Sequence, residues 1–366
     1  MAAVPKMKAV IFAGGVGTRM WPMSRQATPK QFEKLIDNKS TLQLAVERLT
    51  PAFAPEDIYI STGARYLDIV AKQLPEIPKA NLIGELEMRD VGPAVGYVMA
   101  ILSKKFADTP TAILWSDHLV KNVDLFKQAL ATGAQYLNHH NDQIVFLGQK
   151  PRFASQNLGW IEFGKEITEL NNLQIREFVS WHYRPELATA QKYFTSGHHA
   201  WNPGYFVVKP KFVMDQFQKH APDMFTKLQT LKASFGTKGH EQDLQAIYPT
   251  FEKVSFDNLI LEKISPQEAV VISVDLGWSD VGAWEALKEA LQGSQEENVT
   301  LGNVKTKNTR DSLIYSYTNQ LITTIDLDGA VIVVTPDVIL VTKKDSIPEV
   351  KKLVTELQES GMEHYT

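Results

Sequence analysis

Two cations behind a run of glycines pose the first chemical question. Gly14, Gly15 and Gly17 follow the apolar run Lys8 to Ala13, and Arg19 and Lys30 come after them in the segment AVIFAGGVGTRMWPMSRQATPKQF. Backbone N–H groups in such a turn can come close to phosphate oxygens, and the two side chains can balance their charge. Two common phosphate loops fit poorly. A P-loop needs Gly-x4-Gly-Lys-Ser/Thr, but Arg19 stands five residues past Gly14 and no Lys-Ser/Thr follows. The dinucleotide fingerprint needs a third glycine where Met20 stands, which disfavours an NAD oxidoreductase. A glycine turn by itself is usually only a turn. Arg19 and Lys30 at these offsets are what point to phosphate.

The remaining pattern is a glycine turn followed by Thr-Arg, a proline and a Pro-Lys. Here it reads Gly17-Thr18-Arg19, Trp21-Pro22, Ser24-Arg25 and Pro29-Lys30-Gln31-Phe32. In these residues the chain resembles the mannose-1-phosphate guanylyltransferases, a branch of the sugar nucleotidyltransferases. The resemblance runs to about Leu287, and the later residues resemble the short C-terminal extension of that family. Trp21 to Arg25 and Pro29 to Phe32 favour the guanylyl branch over thymidylyl, uridylyl and adenylyl relatives. The implied reaction is attack by the phosphate oxygen of mannose 1-phosphate on the α-phosphorus of GTP, giving GDP-mannose and pyrophosphate. That oxygen is already ionised at neutral pH, so catalysis reduces to positioning and charge neutralisation without a general base. Gly14, Gly15, Gly17 and Thr18 would position the nucleotide. Arg19 would clamp the departing phosphates, and Lys30 would stabilise charge near the α-phosphate.

Asp117 ends the predicted strand TAILWSD, where α/β folds place their ligands, and Asp280 follows the predicted strand AVVISVD. Transfer between two phosphorylated anions calls for a divalent cation, and Mg2+ prefers one or two carboxylates plus phosphate oxygens. Asp117 and Asp280 would supply that pair if the fold brings them together. The bland alternative is that Asp117 caps a turn and Asp280 a helix; the resemblance places both at the magnesium site. Asp275 competes for the metal role but falls inside the predicted strand. His118 is read as a neighbour of the site rather than a base.

On the sugar side, Leu158-Gly159-Trp160-Ile161 resembles the family's Tyr-Gly-Tyr-Ile, and Trp201-Asn202-Pro203-Gly204 its Trp-Asn-Ser-Gly. Gly159 and Asn202 would face the sugar, the bland alternative for Asn202 being a turn; Ser255-Phe256-Asp257 and Leu261-Glu262-Lys263 match a further family segment, with Glu262 as a hydroxyl acceptor. Three departures stand out. Phe178 to Pro185 is longer than the usual Phe-Val-Glu-Lys-Pro and lacks its glutamate, so that Arg184 at best replaces the lysine. Arg89-Asp90-Val91-Gly92-Pro93 replaces Arg-Asn-Thr-Ala-Pro, setting Asp90 and Gly92 by the base, where a carboxylate can accept from guanine N1–H and N2–H. Pro203 replaces a serine. These departures motivate a second enzyme reading, with another sugar 1-phosphate or nucleotide. A reading of a different class is a nucleotide-sugar-binding regulator without catalysis, against which Arg19, Lys30, Asp117 and Asp280 argue. The histidine pairs His139-His140 and His198-His199 show no complementary ligand spacing and are assigned to turns or solvent.

These residues need elements to hold them. The first half alternates strand and helix patterns, which predicts a mainly parallel, doubly wound sheet. Ser40 and Gln43 form a capping box before the stripe Leu42, Ala45, Val46, Leu49, and Pro93 suits the first turn of a helix burying Ala94, Val98, Ile101 and Leu102. Later strands, GWIEFG, IREFVSW, GYFVVK and AVVISVD, are expected to wall a sugar-sized cleft over the sheet edge. The fold class is α/β: a Rossmann-like doubly wound mixed sheet over residues 1–292, then a β-helix-like extension over 293–366. In the extension, short β segments precede a helix capped by Ser346 and Glu349, striped by Val350, Leu353, Val354 and Leu357, and stopped at Gly361. Strands so short need a docking surface, on the main domain or on another subunit; the family counterpart suggests a homodimer. A second, isomerase activity is not expected, because longer relatives carry a further β-barrel for it.

Composition bounds the rest. Over 366 residues, 44% are apolar and 22% charged, with a net charge of −4, which argues against nucleic acid as a partner. No cysteine is present, which excludes disulfides, zinc–thiolate sites and a thiol nucleophile. No apolar run is long enough to cross a membrane and the first residues lack a cleavage pattern, so the expected compartment is the cytoplasm. Residues before Lys8 read as a loose tail.

Overall fold

The computed structural model describes residues 6–15, 17–25 and 27–366; residues 1–5, read above as a tail, lie outside them. Contacts divide the chain into two compact units along a different line from the chain-order boundary at residue 292. One comprises residues 1–14, 45–116 and 120–278, the other residues 15–44, 117–119 and 279–366.

The first unit is built on a ten-stranded sheet. Its spatial order is His199–Asn202, Gly159–Leu170, Leu173–His182, Ala269–Val274, Ile144–Gln149, Phe206–Val208, Thr111–Trp115, Lys8–Phe12, Ile58–Gly63 and Leu82–Glu85. The last four run parallel, as the strand–helix alternation predicts. Phe206–Val208 is antiparallel to both neighbours, and the hairpin Gly159–Leu170/Leu173–His182 brings a second antiparallel block. The sheet is therefore mixed. The later strands continue this sheet instead of forming a separate wall over its edge, each pairing with strands already in it.

Strand alternation feeds two helical layers. Ile144, Phe146, Phe206 and Val208 share one core with Ala94, Val98, Ile101 and Leu102 of the helix Val91–Phe106. On the other face, Gly133 of the helix Val123–Leu137 lies against Val207 and Val145, with no room for a β-carbon at ordinary distance.

The second unit is assembled from segments far apart in sequence. A four-stranded sheet runs Val299–Leu301, Leu313–Ser316, Ala330–Val334 and Ile339–Lys343, the first three parallel. Val304–Lys307 and Ile322–Ile325 pair in parallel beside it. Its core joins Leu313, Tyr315, Val331 and Val333 to Trp284 and Leu287 of the helix Trp284–Leu291, and also to Met20, Trp21, Met23 and Leu35. Thus the short strands do dock, on the segment that follows the glycines. Trp284 Nε1 donates to the Trp21 carbonyl (3.0 Å), and Trp21 Nε1 donates to the Tyr365 carbonyl (2.7 Å). Arg25 forks onto Asp337, both N–H···O distances being 2.7 Å.

Two local expectations part company here. Ser40 and Gln43 do form the reciprocal capping box, at 3.0 and 3.2 Å. Ser346 and Glu349 do not: residues Lys344–Glu349 form a 3-10 turn and the helix starts at Val350. Pro348 disfavours the α conformation at Ile347, so the helix cannot begin before it. Val350 and Val354 are buried as the stripe requires, whereas Leu353 is 39% exposed; Gly361 ends the segment at φ +76°.

Candidate active site

Four of the proposed catalytic residues lie together in the second unit. Gly17, at φ +68°, caps the short 3-10 turn Thr18–Met20 that exposes Arg19. A β-carbon on Gly17 would stand 2.7 Å from Lys30 Cδ, so glycine is required twice, by the backbone and by the lysine packed on it. Lys30 is 8% exposed, its N–H bonded to Ser24 Oγ at 3.0 Å. Its ammonium donates to the Val281 carbonyl (2.9 Å) and pairs with the Asp117 carboxylate (2.9 Å). Two acceptors leave the third ammonium hydrogen for a ligand.

Burial would raise the Asp117 pKa, but the Lys30 and His118 charges outweigh it and hold the carboxylate well below its ordinary range. His118 Nε2 is 3.9 Å from Asp117 Oδ1, a neighbour and not a base. The Val281 N–H donates to the Asp117 carbonyl (3.3 Å), which sets Asp280 beside Asp117. Gly282 then completes a cradle: a β-carbon there would meet Arg19 Nη2 and Asp280 Oδ1, both at 3.1 Å. A pair of carboxylates suits a hard cation such as Mg2+. Neither aspartate caps a helix; the helix Trp284–Leu291 starts after Ala283. Asp275 lies one residue beyond its strand, not inside it, and accepts from Gln149 Nε2 (2.9 Å) and the Gly277 N–H (3.0 Å), as a turn-builder does. Gly15, at φ +87°, and Gly14 are exposed with open space where side chains would be.

The first unit holds the residues assigned to base and sugar. Asp90, exposed and at φ +69°, caps the helix Val91–Phe106 by accepting the Val91 N–H with Oδ1 (2.7 Å). The Gly92 N–H donates to the Val254 carbonyl (2.9 Å), so what Gly92 offers is close approach, not a free donor. Asn202 Oδ1 accepts the Gly204 N–H (2.8 Å), the turn role weighed against sugar binding, and its amide nitrogen remains the group with which it could donate. Gly159 lies within 3.5 Å, by its absent β-carbon, of Asn202 and Trp181. Arg184 is exposed, at φ +43°, over the Tyr183 ring.

Two residues quoted but not assigned from sequence belong here. Burial raises the Asp257 pKa, the Glu262 and Asp90 carboxylates add to the rise and Arg184 opposes it. Asp257 therefore sits where the base-side and sugar-side residues meet; its place in Ser255-Phe256-Asp257 was the signal. Trp181 Nε1 is buried without a hydrogen-bond partner among the described residues, beside Gly159. It stands in the lengthened segment read only as a departure.

Comparison with known proteins agrees with this geometry. The nucleotidyl transferase family model matches residues 8–297, and the model of the MannoseP isomerase/GMP-like β-helix domain matches residues 302–357. The chain is 32% identical to mannose-1-phosphate guanylyltransferase 2 of Escherichia coli O157:H7 over 366 residues, covering 96% of this chain and 73% of that one. The same identity holds over 367 residues with mannose-1-phosphate guanylyltransferase RfbM of Salmonella typhimurium, at 97% and 73% coverage. In structure it is similar to mannose-1-phosphate geranyltransferase from Thermus thermophilus, with a TM-score of 0.85, 27% identity and coverage of 97% and 100%. A glycine turn with a buried lysine, two adjoining aspartates, a mixed α/β sheet and a β-helix-like extension converge with these matches: the chain belongs to the nucleotidyl transferase family, among its mannose-1-phosphate guanylyltransferases.

Proposed function

We propose that this chain transfers GMP from GTP to mannose 1-phosphate, forming GDP-mannose and pyrophosphate, in the cytoplasm. The observation that carries the reading is the Lys30 ammonium, fixed between Asp117 and the Val281 carbonyl against the Gly17 turn. A cation fixed by two acceptors offers its third hydrogen along one direction, which suits charge that develops on an α-phosphate. Arg19 stands on the exposed turn and suits the departing pyrophosphate. Asp117 and Asp280 would hold Mg2+, which supplies neutralisation of phosphate charge when bound. In the first unit, Asp90 keeps Oδ2 for the N1–H and N2–H of guanine, while Asn202, Glu262 and Arg184 address hydroxyls and phosphate of the sugar. Trp181, beside Gly159, would border the sugar.

The homodimer suggested by the resemblance is supported by the strand Ile339–Lys343, which ends its sheet with Ile339 and Val341 64% and 66% exposed. Among the described residues no helix is long and apolar enough to cross a membrane. The test of function is pyrophosphate release over a panel of nucleotides and sugar 1-phosphates, with Mg2+ added or chelated. GTP with mannose 1-phosphate should lead, and turnover should vanish without Mg2+. Faster release with another sugar 1-phosphate would move the assignment to the second enzyme reading, which the altered residues 178–185 favour. Tight GDP-mannose binding without turnover would leave a regulator.

A further inference from the structure

The edge of the ten-stranded sheet brings together three side chains that sequence spacing keeps apart. Glu162 lies directly opposite His199 on the adjoining strand, and opposite Ser180 on the other side, two residues from His182. One oxygen or nitrogen from each of Glu162, His182 and His199 falls within 4.8 Å of the other two. His182 Nε2 is 3.7 Å from Glu162 Oε2. His199 stacks on Tyr193 at 4.1 Å and is paired at Nδ1 with Ser196 Oγ (2.7 Å). That contact turns Nε2 inward, where it is buried with no hydrogen-bond partner among the described residues. An imidazole oriented through one nitrogen, with the other buried and unsatisfied, is the arrangement of a metal-ligating histidine and its supporting partner. Ser180 Oγ donates to Glu162 (2.6 Å) and lies 2.8 Å from His182 Nε2, a contact that His182 gives up on ligating through that nitrogen.

We infer that Glu162, His182 and His199 form a site for a borderline divalent transition metal of the zinc class, tying three edge strands to the helix Leu187–Ser196. Two imidazoles and one carboxylate suit zinc, and reject magnesium, which wants oxygen donors. Bonds of about 2.0–2.1 Å require the three donors to draw in slightly, and leave a fourth position for water. The site is not part of the proposed sugar site. Glu162 and His199 lie three residues from Gly159 and Asn202 along their strands, and so face the opposite side of the sheet.

The test uses the full chain, stripped with chelator and titrated with Zn2+ against a chromophoric competitor, with Co2+ as spectroscopic probe. The expected result is one equivalent of Zn2+ bound and a visible Co2+ band of low coordination number. His199→Gln should abolish both, and Ser196→Ala should weaken binding about tenfold through the misoriented imidazole. Asp280→Asn should leave them unchanged, which separates this site from the aspartate pair. Near-ultraviolet circular dichroism checks that each variant is folded; should His199→Gln not fold, Ser196→Ala and the cobalt band decide. Zinc uptake equal in wild type and both histidine-site variants, or no cobalt band in the wild type, would overturn the assignment.

Discussion

At the scale of single residues, the two cations after the glycine turn are not equivalent. Arg19 is exposed and Lys30 is buried against an aspartate, so their removal should separate chemistry from stability. Arg19→Ala should lower kcat by about 10²–10³, with an unchanged melting temperature, through loss of charge stabilisation. Lys30→Ala should lower kcat at least as much and also destabilise by about 1 kcal/mol, because the half-buried Asp117 carboxylate loses its ion pair. Steady-state kinetics and denaturant titration read both effects; a Lys30→Ala enzyme of normal turnover would remove Lys30 from the mechanism. Gly17→Ala should mimic the kinetic loss, since its β-carbon displaces Lys30. The packing of Lys30 on the glycine turn was legible from spacing, since both stand within one continuous segment. Asp257, Trp181 and His199 were not. Their partners arrive from other strands and helices, and one sequence carries no record of which strands adjoin.

At the scale of elements, the motif Trp21 to Arg25 faces the extension. Trp21 and Arg25 bond Tyr365 and Asp337, so a pattern that marks the guanylyl branch serves to fix the segment after the glycine turn. The bond from Arg25 chiefly holds Asp337 at about 2, below its ordinary 3.8. A lowered carboxylate stabilises the folded chain above the ordinary value and loses that contribution as pH falls toward 2. Wild type should therefore exceed Asp337→Asn at neutral pH by about 1 kcal/mol or less, the carboxylate being solvent-exposed, and the difference should close through that window in urea midpoints. Trp284→Ala should cost far more, about 3–5 kcal/mol, and turnover should fall with it because Met20 and Trp21 share its core. Sequence patterns foretold the helix Val91–Phe106 and the parallel strands, whose signals are local. They misplaced the start of the last helix because Pro348 overrides a capping pattern that considers only residue types.

At the scale of the whole molecule, chain order and spatial order differ. Each unit draws on three separated stretches, so composition and punctuation, which change along the chain, could mark the β-rich extension but not the unit it joins. The proposed homodimer belongs to this scale. Val341→Glu, on the exposed edge strand, should shift the mass seen by light scattering from two chains to one with the monomer still folded. An unchanged mass would place the contact elsewhere.

The hydrogen bond from Trp21 to the Tyr365 carbonyl spans 344 residues. On a ribosome Trp21 emerges 344 residues before the carbonyl that braces it. The sheet of the first unit can form as its strands appear, but the loop with Arg19 and Lys30 gains its core only when synthesis has passed the extension. A prematurely halted chain would thus hold the sheet without a braced phosphate loop.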